Sequence, residues 1–379
     1  MVSTETESQI EVLEFRAPSP LIRDFIALPK KIYSEDPYWV QPLNVDLKTL
    51  LDPAKHPYHR HAWSVLLLAT RNGKPAGRMA VHINHRYNER WKEAVGSFGF
   101  FECENDAEVA GALFGHAEEL LKEQGCESVR GPFSWSTNEE LGVLIDGFDG
   151  SPAIMMPHNP PYYPELIEAC GYRKAKDLYA YWIEDPGAIP ERLERGVDLV
   201  KKRKNVTVRP IDMKNFDRDV ELAMRVYNEA WYENWSAVPM TEEEFRHLAK
   251  DLKTIVDPEL VFFAFVDGEL AGFALSVPDA NQAIKVAKGR LFPFGLIRML
   301  LELKKVKHIR TLALGVMEKY RGSAIDTVLY YEAFKRGRKR GYHSSEMSWV
   351  LEDNYAIRNP LEKIGGRIYK TYRIYEKGL

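Results

Sequence analysis

Cysteine is scarce in this sequence, and its three positions argue against two classes of protein. Cys103, Cys126 and Cys170 are the only cysteines among the 379 residues. Their spacing fits no Cys-x-x-Cys zinc or redox motif, and an odd number in a long chain is not a disulfide framework. We therefore expect three buried free thiols in an ordinary globular protein.

The sequence also lacks a long apolar run and an excess of either charge. No stretch reaches the ~20 apolar residues that a membrane-spanning helix needs. The start, Met1–Glu5, is polar and acidic, so no signal peptide is visible and we expect a cytoplasmic protein. With 52 Lys and Arg against 55 Asp and Glu, the net charge is −3. Basic residues are thus not in excess, and a nucleic-acid partner is not predicted.

The sequence does contain one order of predicted elements twice. Each half reads as strand, helix, hairpin, strand, helix, strand, helix and strand, with hairpin turns at Asn72-Gly73 and Asp267-Gly268. This order predicts a duplicated α/β domain. The expected boundaries are an N-terminal domain over 1–188, a charged linker helix over 189–205 and a C-terminal domain over 206–379.

The strongest local signal lies in the second half. A predicted strand ends near Val316, a loop of small residues follows, and a helix begins near Ile325. Such a loop presents backbone N–H groups together with a helix N-terminus, which forms an anion site. Arg321 can add a charge-assisted contact to a phosphate.

This segment resembles the GNAT superfamily of acyl-CoA-dependent N-acyltransferases, whose loop reads Q/R-x-x-G-x-G/A. Arg321 takes the first position and Ala324 a later small one, whereas Asp326 departs from the pattern. The resemblance implies two tandem GNAT-like domains, each an α/β domain with a mixed, mostly antiparallel sheet flanked by helices. It also implies acyl-CoA as co-substrate, with no metal. The implied CoA-binding residues are Leu314, Gly315, Val316, Arg321, Gly322, Ser323, Ala324, Ile325 and Asn354.

The two halves differ in how closely they follow the family. Residues 354–366 resemble the family's C-terminal tail, but Leu361 stands where a Tyr often protonates the departing thiolate. In the first half, the acidic run Glu102–Asp106 replaces the Arg- and Gly-containing loop. We therefore expect the N-terminal domain to lack a CoA site.

Several phrases resemble, more narrowly, a bacterial group of tandem GNAT proteins that includes ceramide synthases. This resemblance implies transfer of a long acyl chain from acyl-CoA to a sphingoid amine. The phrases are Asp36–Pro42, Gly131–Phe133 with Asn138–Glu140, Met155–Tyr163 and Asp279–Ala283.

An insertion at 285–308 contains seven Lys or Arg residues and one acid, Glu302. Leu296, Leu300 and Leu303 recur at helical spacing, and Phe292 and Phe294 precede them. A basic amphipathic helix with aromatic residues is typical of a segment that lies on an anionic membrane. The alternative is a helix that packs on its domain with a solvated basic face.

Acyl transfer to an amine requires a proton acceptor, a polarised thioester carbonyl and a proton for the leaving sulfur. Glu233 and Asp279 are the candidate bases, and Tyr320 is the candidate acid, with Tyr355 as an alternative. The candidate acceptor-binding residues are His85, Asn138, Trp235 and Asn281.

Three histidines near the start of the chain are possible metal ligands. His56, His59 and His61 lie close together, but no Cys or carboxylate cluster completes a ligand set. We therefore expect a loop in which these histidines are exposed.

The sequence thus predicts an N-acyltransferase whose acceptor is a long-chain amino alcohol. The alternative acceptor is a small amine such as an amino acid or amino sugar. The third hypothesis is a degenerate GNAT pair that binds a ligand or serves as a scaffold, and Asp326 and Leu361 favour it.

Overall fold

The computed structural model describes residues 9–185, 187 and 190–379. Both the start of the chain at Met1–Glu5 and the expected domain boundary at 188–189 lie outside these residues. The described chain forms two compact units. The first contains the residues up to Leu178 together with Lys288–Arg290 and Lys370–Leu379. The second contains Tyr179–Ala287 and Leu291–Tyr369.

The first half of the described chain contains the predicted strands and helices in the predicted order, together with two short helices and one short strand that were not predicted. Its strands are β1 (Ile10–Phe15), β2 (Ala62–Arg71), β3 (Lys74–Asn84), β4 (Val95–Cys103), β5 (Ser128–Gly131), β6 (Val143–Asp146) and β7 (Arg173–Glu184). Its helices are α1 (Ile22–Ile32), α2 (Asn44–Leu50), α3 (His85–Trp91), α4 (Ala107–Glu123) and α5 (Tyr163–Ala169).

The second half also contains the predicted strands and helices in the predicted order, with further helices between them. Its helices are α6 (Glu191–Arg203), α7 (Phe216–Ala230), α8 (Glu242–Leu252), α9 (Asn281–Ala287), α10 (Gly295–Leu303), α11 (Ile325–Lys339) and α12 (Tyr355–Lys363). Its strands are β8 (Val206–Pro210), β9 (Val261–Val266), β10 (Glu269–Pro278), β11 (His308–Val316), β12 (Ser344–Leu351) and β13 (Arg367–Gly378).

The two sheets share one pairing pattern. In the first unit, β1, β2, β3 and β4 pair antiparallel in that order, and β5 then pairs parallel with β4. In the second unit, β8, β9, β10 and β11 pair antiparallel, and β12 pairs parallel with β11. Both sheets are mixed and mostly antiparallel, which confirms the predicted duplicated α/β domain.

Tight turns fix the register of both hairpins. Asn72 and Gly73 join β2 to β3 with φ of 53° and 73°, and Asp267 and Gly268 join β9 to β10 with φ of 50° and 82°. Two consecutive positive φ angles define the turn that matches the right-handed twist of an antiparallel pair. The hairpins predicted from these dipeptides are therefore confirmed.

The last strand of the chain belongs mainly to the first unit. Residues 375–378 of β13 pair antiparallel with β5, and residues 371–373 pair with β6. Tyr372, Ile374 and Tyr375 are fully buried there. In the second unit, the part of β7 after Leu178 lies beside β12. The predicted first domain ended at 188 and the predicted second domain ran from 206 to 379. The observed division instead assigns the end of β7 to the second unit and most of β13 to the first.

One long helix covers one face of each sheet. In the first unit, α4 buries Leu113, Phe114 and Leu121 against the strands. In the second unit, α11 buries Val328 and Leu329 against β9 and β10, and Val197 of α6 joins the same core. The segment expected to be a linker helix is thus a helix, and it packs in the core of the second unit.

The prediction for the histidine-containing loop was wrong. His56 is only 7% exposed, and its Nε2 lies 3.3 Å from an oxygen of Glu139. Burial also lowers the pKa of His59 to about 4. The loop is folded inward because Tyr58, which is fully buried, draws its neighbours into the core around Trp135. The cysteines are free, with Cys103 and Cys126 buried and Cys170 half-buried.

Candidate functional site

The two central strands of the second unit separate part-way along their length. β11 and β12 pair in parallel over residues 308–311 and 344–347. Both strands continue for several residues beyond these pairs. The candidates Leu314, Gly315 and Val316 lie on the part of β11 that has separated from β12, while β10 pairs with their other edge. The edge of these three residues that faces β12 therefore borders an opening in the sheet.

A β-bulge lies at the point of separation. Leu275 pairs with Ala313, whereas Ser276 pairs with Thr311, so Leu312 is an extra residue on β11. A bulge bends its strand and increases the local twist. The bulge therefore contributes to turning the end of β11 away from β12.

Gly315 lies directly under an aromatic side chain. A Cβ atom at Gly315 would be 2.5 Å from a ring carbon of Trp231 and 3.0 Å from the Cβ of Ala230. Trp231 follows the last residue of α7 and stacks on Tyr227 with a centroid distance of 4.8 Å. Glycine is required at this position because no side chain fits between β11 and Trp231.

The loop after β11 leads into a helix whose first N–H groups are not capped by a side chain. Gly322 and Ala324 have φ of 70° and 64°, and Ala324 precedes the first residue of α11. Within the described chain, no side chain forms a cap hydrogen bond at this end of α11. Because the first N–H groups of a helix lack intrahelical partners, this end is suited to an anion.

Arg321 lies in the same loop with an exposed side chain. Its guanidinium donates a long hydrogen bond of 3.4 Å to the carbonyl oxygen of Ala230 and lies 3.9 Å from the carboxylate of Glu233. The Glu233 side chain is 82% exposed. Both contacts are weak, so the guanidinium is available to a stronger anion such as a phosphate.

Asp326 is exposed in the first turn of α11. It does not serve as the helix cap, because the N-cap position is Ala324. Ile325, in contrast, is fully buried in the core with Val328. The departure from the glycine pattern thus leaves a carboxylate at the helix surface rather than on the N-terminal N–H groups.

The corresponding place in the first unit is already occupied by its own side chains. The carboxylate of Asp106 accepts hydrogen bonds from the first N–H groups of α4 and pairs with Arg71 at 2.7 Å. The Tyr163 hydroxyl accepts from the N–H of Cys103, and the Tyr162 hydroxyl donates to the Cys103 carbonyl, each at 2.9 Å. Neither the helix end nor the end of β4 is thus left open to an anion.

A buried charged cluster that the sequence analysis missed lies where β11 and β12 separate. Glu346 is 0% exposed and Arg310 2% exposed, and their charged atoms are 3.5 Å apart. Ser348 donates to Glu346 at 2.6 Å and accepts from Arg310 at 3.0 Å, and Tyr369 also donates to Glu346. One charged residue inside each of two predicted strands, Arg310 and Glu346, is the sequence signal that could have identified this cluster.

Comparison with known proteins identifies the family. Residues 220–365 match the acetyltransferase (GNAT) family. The bacterial ceramide synthase of Caulobacter vibrioides (strain NA1000 / CB15N) is 39% identical over 385 residues, which cover 99% of each chain. The chain belongs to the GNAT family. Protein YghO of Escherichia coli (strain K12) is 37% identical over 363 residues, covering 94% of this chain and 92% of its own.

Solved structures confirm the GNAT fold over the whole chain. A tandem GNAT protein from the clavulanic acid biosynthesis pathway has a TM-score of 0.58 at 13% identity and covers 98% of each chain. A GCN5-related N-acetyltransferase from Sphaerobacter thermophilus has a TM-score of 0.52 at 17% identity, covering 97% of this chain and 95% of its own. The predicted pair of tandem GNAT-like domains is therefore confirmed.

The three catalytic candidates of this GNAT protein do not lie together. Asp279 donates its backbone N–H to the carbonyl of His308, at the start of β11. Glu233 and Tyr320 lie near the loop at the other end of that strand. A nine-residue strand spans about 26 Å between its terminal Cα atoms at 3.3 Å per residue. One catalytic centre thus cannot contain all three.

Local hydrogen bonds hold several of these candidates. The Tyr320 hydroxyl donates to Glu269 at 2.6 Å, and this carboxylate raises the pKa of Tyr320. Asp279 accepts from the backbone N–H of Asn281 at 3.3 Å. Asn354 caps α12 by accepting from the N–H of Ile357 at 3.3 Å.

The remaining acceptor-binding candidates are spread over both units. In the first unit, His85 is exposed at the start of α3, and Asn138 is half-buried in the segment after β5. In the second unit, Trp235 is half-buried in the segment after α7. Among the residues that the structure describes, no group of three or more His, Cys, Asp or Glu side chains could hold a metal ion.

Proposed function

We propose that the protein is an acyl-CoA-dependent N-acyltransferase that transfers a long acyl chain to a sphingoid amine and forms a ceramide-type lipid. The observation that carries the acyl-CoA site is the start of α11, where free N–H groups and Arg321 lie at the end of a strand that has separated from its neighbour. Support for the acceptor comes from the full-length similarity to a bacterial ceramide synthase.

The pyrophosphate of CoA would bind the first N–H groups of α11 and the Arg321 guanidinium. The thioester arm would then extend into the opening beside Leu314–Val316. Gly315 has no side chain and Trp231 lies over it, so a ligand can approach this backbone closely only from the β12 side.

In the proposed reaction, the amine nitrogen attacks the thioester carbonyl carbon, the C–N bond forms, and the C–S bond breaks. A backbone N–H near Leu314–Val316 would stabilise the negative oxygen of the tetrahedral intermediate. Glu233, which lies at the same end of β11 as Tyr320, would accept the proton that the amine loses, and Tyr320 would supply one to the thiolate. With Asp279 as the base instead, the proton for the thiolate would come from a group other than Tyr320, because Asp279 lies at the opposite end of β11. The Tyr320 phenol would release its hydrogen bond to Glu269, the contact that raises its pKa, before it donates to sulfur.

The first unit would serve the acceptor rather than CoA. Its helix N-terminus is neutralised by Asp106, and the end of its β4 strand is satisfied by two tyrosine hydroxyls. His85 and Asn138 are the residues of this unit that we propose for acceptor binding, and Trp235 and Asn281 are the candidates within the second unit taken by itself. Because this acceptor is an amphiphile, the enzyme would work in peripheral contact with a membrane.

An assay of thiol release tests the proposal. Purified protein is incubated with palmitoyl-CoA or acetyl-CoA and with sphinganine, an amino acid or an amino sugar. The expected result is CoA release with palmitoyl-CoA and sphinganine, with the amide product identified by mass spectrometry. Release only with acetyl-CoA and a soluble amine would show a small-amine acetyltransferase. No release, together with no CoA binding by calorimetry, would show a ligand-binding or scaffolding protein.

A further inference from the structure

The helix α10 exposes its apolar face to solvent. Its leucine and isoleucine side chains at 296, 297, 300 and 301 are 45–59% exposed, and none of its nine residues is buried. These four positions lie within a 140° arc of a helical wheel at 100° per residue. The half-buried positions Gly295, Met299 and Glu302 lie on the opposite side of the wheel, and half-buried Leu303 borders the exposed arc next to Leu296. A surface helix ordinarily turns its apolar side to the core, so this orientation is the reverse of the usual one.

Two aromatic side chains continue the same apolar surface. Phe292 is 88% exposed and Phe294 is 64% exposed, immediately before the first residue of α10. With the four aliphatic side chains they form a surface that we call the apolar ridge: Phe292, Phe294, Leu296, Ile297, Leu300 and Leu301. Large apolar side chains grouped in this way on a protein surface mark an interaction site.

The chain around the ridge is strongly basic. The insertion 285–308 has seven Lys or Arg residues and one acid, Glu302. In the second unit, Arg298, Lys304 and Lys307 are all exposed, and Lys305 pairs with Glu302 at 2.6 Å. Apolar side chains bordered by cations fit the interface of a bilayer that contains anionic lipid, because the apolar groups enter the acyl region while the cations meet the headgroups.

We propose that the apolar ridge docks on an anionic phospholipid bilayer, with the axis of α10 parallel to the membrane plane. The helix is nine residues long, or about 14 Å at 1.5 Å per residue, so it lies on the surface and does not cross it. The ridge is separate from the loop at Arg321. Docking can therefore be tested without any acyl transfer, and either proposal can fail alone.

The charge of this segment argues against a second copy of the chain as the occupant. A symmetric dimer places the same patch of both subunits face to face. Two copies of the second unit's part of this segment would bring the exposed Arg298, Lys304 and Lys307 against the same three cations. An anionic membrane supplies the opposite charge and also an apolar layer for the ridge.

Co-sedimentation with lipid vesicles tests the docking. The full chain is mixed with vesicles of phosphatidylcholine alone and with vesicles of equimolar phosphatidylcholine and phosphatidylglycerol. We expect binding to the second kind, and weaker binding as salt is raised, because salt screens the attraction between cations and headgroups. The variant F292S/I297S/L301S should bind about tenfold or more weakly, since each exposed apolar side chain loses its transfer into the acyl region.

A matched control separates docking from general effects. Leu199 is 50% exposed on α6, outside the ridge, so Leu199→Ser should bind vesicles like the unaltered chain. Equal sedimentation of the unaltered chain and the ridge variant would overturn the proposal. It would also fail if the unaltered chain were a dimer in solution that the ridge substitutions converted to a monomer without any change in vesicle binding.

Discussion

At position 321, one guanidinium has two weak partners and, among the described residues, no strong one. A hydrogen bond of 3.4 Å and an ion pair of 3.9 Å with an exposed carboxylate each contribute little to stability. An arginine held this loosely adds little to the fold, whereas a phosphate would give it a charge-assisted pair. The side chain is therefore better explained by a ligand than by folding.

Replacing Arg321 by Ala should weaken acyl-CoA binding by about 10- to 150-fold, because one hydrogen bond to a charged group contributes about 1.5–3 kcal/mol. Isothermal calorimetry with palmitoyl-CoA measures this change. Lys339→Ala is the control, since this exposed lysine lies at the last residue of the same helix. Unchanged affinity of the Arg321→Ala variant would mean that the pyrophosphate does not bind this loop.

Glu346 is a second residue whose surroundings lead to a prediction. The substitution Glu346→Gln leaves the buried Arg310 guanidinium without its countercharge, and the expected loss in the free energy of unfolding is about 3 kcal/mol. Thermal or urea unfolding measures it. Glu259→Gln removes a carboxylate that is 48% exposed and 2.9 Å from Arg336, so its effect should stay below about 1 kcal/mol. Similar losses in both variants would refute a special role for burial.

His82 makes the first unit sensitive to acid. The Tyr58 hydroxyl lies 2.7 Å from its Nδ1 and the Phe133 carbonyl 3.0 Å from its Nε2, which fits a neutral ring that donates from Nε2. Burial lowers the pKa of His82 from 6.5 to about 3. Between these values the unfolded chain binds a proton that the folded unit does not, so stability falls as the pH falls.

From pH 7 to pH 5, this single group should therefore lower the free energy of unfolding by about 2 kcal/mol, at 1.36 kcal/mol per pH unit below 6.5. Calorimetric unfolding at several pH values measures the slope. In the His82→Gln variant, the slope of the free energy of unfolding against pH should decrease by the contribution of one bound proton, about 1.36 kcal/mol per pH unit. An identical slope in both proteins would show that His82 is protonated in the folded unit.

At the scale of single elements, the difference between the two units lies in how their long helices begin. Asp106 caps α4 with a carboxylate, whereas the N-cap position of α11 is Ala324 in a left-handed conformation, with no side-chain cap from the residues that the structure describes. A helix end with a carboxylate cap repels an added anion, and one without such a cap attracts it. One position thus separates a structural helix end from one that can bind phosphate.

Introducing the first unit's cap into the second unit should abolish its anion site. Asn and Asp both tolerate the left-handed conformation of residue 324. Ala324→Asp should therefore bind acyl-CoA at least about tenfold more weakly than Ala324→Asn, which has the same shape without the charge. Equal affinities of these two variants by calorimetry would show that the pyrophosphate does not approach this end of α11.

Much of the element order was predictable because local signals were strong. Both hairpins followed from Asn-Gly and Asp-Gly turns. The helix Glu242–Leu252 was missed, although Thr241 and Glu244 form a capping box that could have indicated it. The cluster around Glu346 was missed because its members are close only after distant strands have paired.

At the scale of the whole molecule, the division of the chain could not be derived from local patterns. The predicted end of the first domain was residue 188, but Lys370–Leu379 also belongs to the first unit. The pairing of β13 with β5 joins residues more than 240 positions apart. Nothing in the composition of either segment specifies this partner, because register depends on pairing across the assembled sheet.

This division leads to a prediction about truncation. A chain that ends at Tyr369 loses Tyr372, Ile374 and Tyr375, each 0% exposed in the first unit, and also the ion pairs of Arg373 with Asp177 and of Lys377 with Glu118. Deleting three buried large side chains costs several kcal/mol each, which exceeds the stability of most domains. The first unit should therefore fail to fold in the truncated chain.

Calorimetry and limited proteolysis of the two chains measure this outcome. We expect the truncated chain to lose the thermal transition of the first unit and to be cleaved rapidly in its first 178 residues. Glu376→Ala, which removes an exposed side chain from the same strand, should change the stability by less than about 1 kcal/mol. If the truncated chain kept both transitions, residues 370–379 would be dispensable, and the elements up to Leu178 would suffice to hold the first unit.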